Sequence, residues 1–154
     1  MADKIETLSV KDMNTISEAV LNLVFYYPDF PFKATSKNIM WQYLGDSEGI
    51  GLFTLQGARY LSQYVSGSYS AQFPFRIVYK CSPNSNKLRL EKQMLVEKLC
   101  AWLEECSAEL KDTQIQIEKI EQTSNVYKLD ADKDGYEQYT CSMNLKYFYR
   151  RNDT

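Results

Sequence analysis

The chain has 154 residues, 44% hydrophobic and 25% charged, with a net charge of -2 and a pI near 5.3. That length can bury a core without a metal or disulfide staple, the charge argues against a general nucleic-acid or anionic-membrane binder, and no apolar run approaches the roughly 18 residues that span a bilayer. Histidine is absent, which removes the commonest general base and metal ligand together with every Ser-His or Cys-His nucleophile pair.

The opening MADKIETLSVKDM has no apolar stretch of the secretory kind, so the expected compartment is the cytoplasm. Ser9 and Asp12 form a variant capping box. Val10, Met13, Ile16, Val20, Leu23 and Val24 then follow at helical spacing until Pro28. The aromatic, proline-interrupted YYPDFPFKATSKN reads as an extended loop lying on the core. Three strand-like stretches come next: Gly49–Gln56, Arg59–Ser66, and the alternating run through Phe73, Phe75, Ile77, Tyr79 and Cys81. Regular alternation in the second puts Tyr60 and Tyr64 on one face and Leu61 and Val65 on the other. Pro74 suggests an edge or bulged position for the third.

Ser82 to Asn86 ends that strand and starts a second helix. Its core stripe is Leu88, Leu95, Leu99, Trp102, Leu103, Cys106 and Leu110, with Leu90, Met94 and Val96 widening the apolar surface towards a partner. Ile115 and Ile117 open another strand, Asn125–Leu129 a short one, and Glu137 to Tyr149 alternate without a break. Strands run consecutively rather than alternating with helices. The expected fold is therefore α+β: an antiparallel sheet of about 4–6 strands with two main helices on one face. It forms one domain over residues 1–154, with its core over roughly 9–150.

One stretch carries a chemical motif. DADKDG places Asp130, Asp132 and Asp134 at ligand positions 1, 3 and 5 of an EF-hand loop, with Gly135 at the turn. Position 12, which needs a bidentate glutamate, is Cys141, and a strand follows where a helix should be. The residues read as a hairpin turn first, with the three aspartates a weak alternative cation site. No cofactor, metal set or catalytic residue is expected elsewhere. Cys81, Cys100, Cys106 and Cys141 lack zinc spacing and read as buried reduced thiols, with a Cys81–Cys141 strand-to-strand disulfide as the alternative. GDSEGIG at 45–51 has no lysine for a phosphate loop. Lys146, Arg150 and Arg151 read as a charged strand end. The aromatics Tyr60, Tyr64, Tyr69, Phe73 and Phe75 come without a run of accompanying lysine and arginine, so packing or subunit contact is expected over base stacking.

The order of elements in SVKDMNTISEAVLNLV, RYLSQYVSGSYSAQFPFRIVYKC, LRLEKQMLVEKLCAWLEEC and DKDGYEQYTCSMNLKYFYR resembles small minor capsid or tail completion proteins of long-tailed bacteriophages, the tail terminators among them. The resemblance implies a non-enzymatic structural protein that forms a ring, commonly of six subunits. The ring would cap the tail tube, meet head-connector proteins, and act first in the host cytoplasm and then at the virion's head–tail junction. No membrane and no sequence-specific nucleic acid enters that role. Subunit contacts are then expected at Trp41, Tyr60, Tyr64, Lys146, Phe148 and Arg150. The rival expectation is a small-molecule-binding or enzymatic α+β domain with an aromatic pocket between helix and sheet.

Overall fold

The computed structural model describes residues 15–106, 114–129 and 135–151. In chain order these form helix α1 (described over 15–25), strands β1 (Ile39–Trp41), β2 (Gly49–Thr54), β3 (Tyr60–Gln63) and β4 (Tyr69–Cys81), helix α2 (Asn86–Glu105), and strands β5 (Ile115–Gln122), β6 (Tyr127–Leu129) and β7 (Glu137–Tyr149). The fold is α+β.

The two longest alternating stretches pair with each other. β4 and β7 run antiparallel from Tyr69↔Tyr149 to Cys81↔Glu137 without a slip. Each flank of this pair is one strand in two pieces. β2 and then β3 line β4, while β5 and then β6 line β7. β1 completes the sheet beyond β2.

Odd-numbered residues of β4 and β7 face the core. Phe75, Ile77, Tyr79, Cys141, Met143 and Leu145 are fully buried there. α1 covers this face with Ile16, Val20 and Val24, and α2 with Val96, Leu99, Cys100 and Leu103. Burying an aliphatic side chain of this size stabilises by roughly 1.5–3 kcal/mol, so the helices are held by these stripes more than by local propensity. Tyr27 anchors the loop after α1, edge-on to Phe30 at 4.9 Å and to Trp102 at 5.5 Å. At the start of α2, the Ser85 Oγ accepts from the Leu88 N–H at 3.2 Å, a serine N-cap.

Several expectations change here. The sheet has seven strands and is mixed, because β1 pairs with β2 in parallel. β1 is too short to show a period, and its end is made by Gln42 in the left-handed region at φ 57°. The Gln42 side chain continues the ladder where its backbone leaves it. Nε2 donates to Thr54 Oγ1 at 2.7 Å, and Oε1 accepts from the Thr54 N–H at 3.2 Å.

Pro74 sits in a central strand, neither at an edge nor at a bulge of β4. Its carbonyl accepts from the Leu55 N–H at 3.0 Å, and the Gln72 N–H donates to the Arg59 carbonyl at 2.8 Å. The proline nitrogen therefore faces the gap between β2 and β3, where no ladder bond is lost.

The alternation expected over Arg59–Ser66 also fails. The register of β3 slips between Tyr60 and Ser62, so Leu61 is the extra residue of a bulge. One inserted residue reverses the phase. Tyr60 packs edge-on against Tyr69 on the helix side, whereas Tyr64 meets Phe148 on the outer side.

In α2 the buried stripe is Val96, Leu99, Cys100 and Leu103. Leu88, Leu95, Trp102 and Cys106 are only partly buried, and Leu90 and Met94 face solvent. Leu110, the capping box at Ser9 and Asp12, and the aspartates 130, 132 and 134 lie outside the described residues. Gly135, at φ +82°, leads into β7 as a turn glycine.

Candidate functional site

Charged groups gather where α2 begins, beneath the start of β7 and the end of β4. Glu137 opens β7 on the core-facing side, and its side chain is only 7% exposed. A carboxylate there needs partners, since an unpaired buried charge is costly. Arg89, one turn into α2, sets its Nε 3.1 and 3.2 Å from the two Glu137 oxygens. Lys128 from β6 makes a close ion pair with the same group. The hydrogen bond from Lys128, then that from Arg89, hold the carboxyl below its ordinary range against the opposing effect of burial.

Next to it lies a second set. Tyr79 donates a short hydrogen bond to Glu48, and Lys92 reaches the same Glu48 oxygen at 3.2 Å. Lys92 also stands 5.7 Å from the Tyr79 ring centre. Burial, reinforced by the bond to Glu48, pushes the Tyr79 hydroxyl far up, so it acts as a fixed donor. Cys81 lies within reach of both sets, fully buried, and desolvation raises its thiol to about 12. A thiol kept protonated is no nucleophile at neutral pH. The cluster ties the start of α2 to three strands and the 42–48 connection.

The cysteines pair differently from the expected alternative. Cys81 stands opposite Glu137 and Cys141 opposite Ile77, so they are four residues apart along the ladder. Cys100 of α2 is the partner of Cys141, the two sulfurs meeting at disulfide-bonding contact in the core. Their Cα atoms are 7.9 Å apart, wider than the roughly 4.4–6.8 Å of ordinary disulfides. The bond overturns the reduced-thiol expectation for Cys100 and Cys141, a pair for which the sequence offered no signal. Cys81 and Cys106 are free.

Six residues carried the sequence expectation of subunit contacts, and the fold separates them. Trp41 and Tyr60 lie on the helix side; Trp41 is partly buried and stacked on Phe73 at 6.1 Å. Tyr64, Lys146 and Phe148 share the outer side, where Lys146 binds Glu121 at 3.2 Å. Arg150 follows the end of β7, exposed. No family model matches this sequence. No curated protein matches it at a significant level either.

Two exposed apolar surfaces extend beyond those six residues, the first including Tyr64 and the second lying on the α2 surface expected to meet a partner. One is the β3–β4 turn, with Leu61 at 48%, Tyr64 at 51% and Val65 fully exposed. The other is the outer side of α2, where Leu90 and Met94 are 67% and 48% exposed. The second was visible as apolar residues outside the main helical stripe, while the first depended on the β3 bulge. A groove of about 580 Å³ lies where Glu104 of α2 meets the break between β5 and β6, lined also by Gln122, Thr123, Ser124 and Asn125. It is open and polar. One Glu104 oxygen accepts from the Gln122 N–H at 3.1 Å, so the carboxylate serves as a splice for the broken strand. Among the described residues no group of acids and thiols is arranged to hold a metal ion, and no helix is long and apolar enough to cross a membrane.

Proposed function

We propose that the chain is a structural subunit that assembles head to tail with copies of itself into a ring. Its element order makes a tail-terminator or minor-capsid role at a phage head–tail junction the leading reading, with tail-tube and head-connector proteins as further partners. The observation behind it is the pair of unlike apolar surfaces: Leu61, Tyr64 and Val65 on one element, Leu90 and Met94 on another. A heterologous contact, which closes rings, joins two different patches, whereas a two-fold dimer uses one patch twice. Tyr60 and Trp41 border the sheet on the helix side and would extend the contact.

Light scattering across a concentration range, with electron microscopy of the product, tests this. A closed ring is expected, and Val65→Asp or Leu90→Asp should each release monomers. Mixing the two variants should not restore long assemblies, because each keeps only one intact patch. A wild-type protein that stays monomeric at high concentration and forms no ring on tail tubes would end the proposal.

A further inference from the structure

Both helices pack on one side of the sheet, and among the described residues no helix covers the other. We propose that this outer face binds single-stranded nucleic acid without sequence preference. The proposal does not require ring formation, although Tyr64 borders both surfaces.

Charge comes first. Lys119 and Lys146 meet across β5 and β7, and both bind Glu121, at 3.0 and 3.2 Å. One carboxylate between two lysines leaves that trio with a positive charge. Arg76, two rungs from the trio along the sheet and partly exposed, adds another, its guanidinium 5.3 Å from the Phe53 ring centre. Glu118, in the bulge of edge strand β5, stands at the margin. Lys119, Lys146 and Arg76 thus share one surface with Glu121, leaving it positive in a chain whose net charge is -2.

Stacking surfaces lie beside them. Phe148 is one step beyond Lys146 on the outer side of β7 after the core-facing Tyr147, and only partly buried. The Tyr64 ring lies 6.2 Å from it and is about half exposed. Between the rings and Arg76 lie two amides, Asn144 donating to Gln72 at 3.0 Å. Asn144 is 9% exposed, and its Oδ1 has no hydrogen-bond partner.

These features favour a nucleic acid over a protein. The middle of the face is Gln72, Pro74, Ser142 and Asn144, so a protein partner would find no apolar centre to desolvate. Rings flanked by cations and amides suit unstacked bases and their phosphates, a pairing that every base tolerates. Paired bases already stacked in a duplex offer no free faces to Phe148 and Tyr64. Phe148 already lies two residues from Lys146 and from Arg150 in the sequence, whereas Tyr64 and Arg76 are distant from both. The pairing of β4 with β7 sets Arg76 opposite Ser142 on the same face, and the β3 bulge turns Tyr64 onto Phe148.

The test is fluorescence anisotropy with a labelled oligothymidylate of about 20 nucleotides at low salt. Binding should weaken about fivefold or more in Phe148→Ala. Lys146→Glu should also weaken it and flatten a log–log salt dependence whose slope is about -1.4 for the two net positive charges. Lys98→Glu, the same charge change on exposed α2, should leave it unaltered. Should Phe148→Ala fail to fold, Phe148→Leu keeps the apolar bulk and removes the ring. Any of four results overturns the proposal: no binding at about 100 µM protein, where even weak non-specific binders respond; equal loss with Lys98→Glu; equal binding of a duplex or of polyglutamate; or a Phe148 variant that changes subunit association and leaves the oligonucleotide bound.

Discussion

Arg89 grips Glu137 through both carboxylate oxygens, at 3.1 and 3.2 Å, joining the first turn of α2 to the first residue of β7. With Lys128 on the same carboxylate, three elements meet at one buried charge. Glu137→Gln keeps the shape and removes the charge, and should lower the unfolding free energy at neutral pH by about 1–3 kcal/mol. Arg89 and Lys128 are 41% and 47% exposed and can turn to solvent, so the loss stays below the roughly 3–5 kcal/mol of a fully enclosed pair. The carboxyl is held below its ordinary range. Its contribution is therefore full above that range and is lost as pH falls through the lowered value. Urea unfolding should show wild type and variant converging on acidification. A gap independent of pH would refute the assignment.

Cys81 titrates with the opposite sign. Burial raises its thiol to about 12, so the stability it contributes is present below the ordinary thiol range and fades as pH rises from there towards that value. Thermal unfolding should show the wild type losing stability above about pH 9 more steeply than Cys81→Ala does. In the native protein at pH 8 an aromatic disulfide reagent should modify Cys106, which is partly exposed, well before Cys81.

Gln42 combines a left-handed backbone with two side-chain bonds to Thr54. Gln42→Ala loses both bonds and keeps the backbone cost, so about 1–2 kcal/mol is expected. Gln42→Gly loses the same bonds and relieves roughly 1 kcal/mol of backbone strain. Glycine should therefore be the milder change in chemical denaturation. Equal losses would show that the backbone at this position is unstrained.

Gly67 and Gly135 both have positive φ, at +92° and +82°, and differ in their surroundings. A Cβ on Gly67 would lie 2.4 Å from the Arg151 Cδ, whereas one on Gly135 meets nothing within 4 Å. Gly135→Ala should cost about 1 kcal/mol, the backbone part alone. Gly67→Ala should cost somewhat more, since the exposed Arg151 side chain, whose Cδ, Nε and Nη1 occupy that space, must also swing away.

Strong periodicity made the centre of the fold legible. The alternation from Glu137 to Tyr149 and through Phe73 to Cys81 identified the two central strands and their core faces, and Val20 and Val24 marked the buried side of α1. The margins were hidden for specific reasons. β1 has three residues, fewer than any pattern needs. The inserted Leu61 put Tyr60 and Tyr64 on opposite faces. Pro74 looked like an edge residue because its tolerance comes from a neighbouring strand that breaks opposite it. Arg89, Lys128 and Glu137 meet only through tertiary pairing, so the polar cluster had no motif to reveal it. The one residue that hinted at it was Glu137, an acid in a core-facing phase.

β7 follows every other described strand along the chain, yet it occupies the middle of the sheet between β4 and the β5–β6 flank. A growing polypeptide carrying β1 to β4 and α2 has half a sheet whose inner edge is open, with Tyr79, Phe75 and Ile77 unroofed on one border. Closing that gap joins residues as far apart in sequence as Tyr69 and Tyr149, the kind of distant pairing that slows folding. Until residues 137–149 are synthesised and inserted, the nascent molecule offers an unsatisfied strand edge to every neighbour, and chaperone protection matters most in that interval.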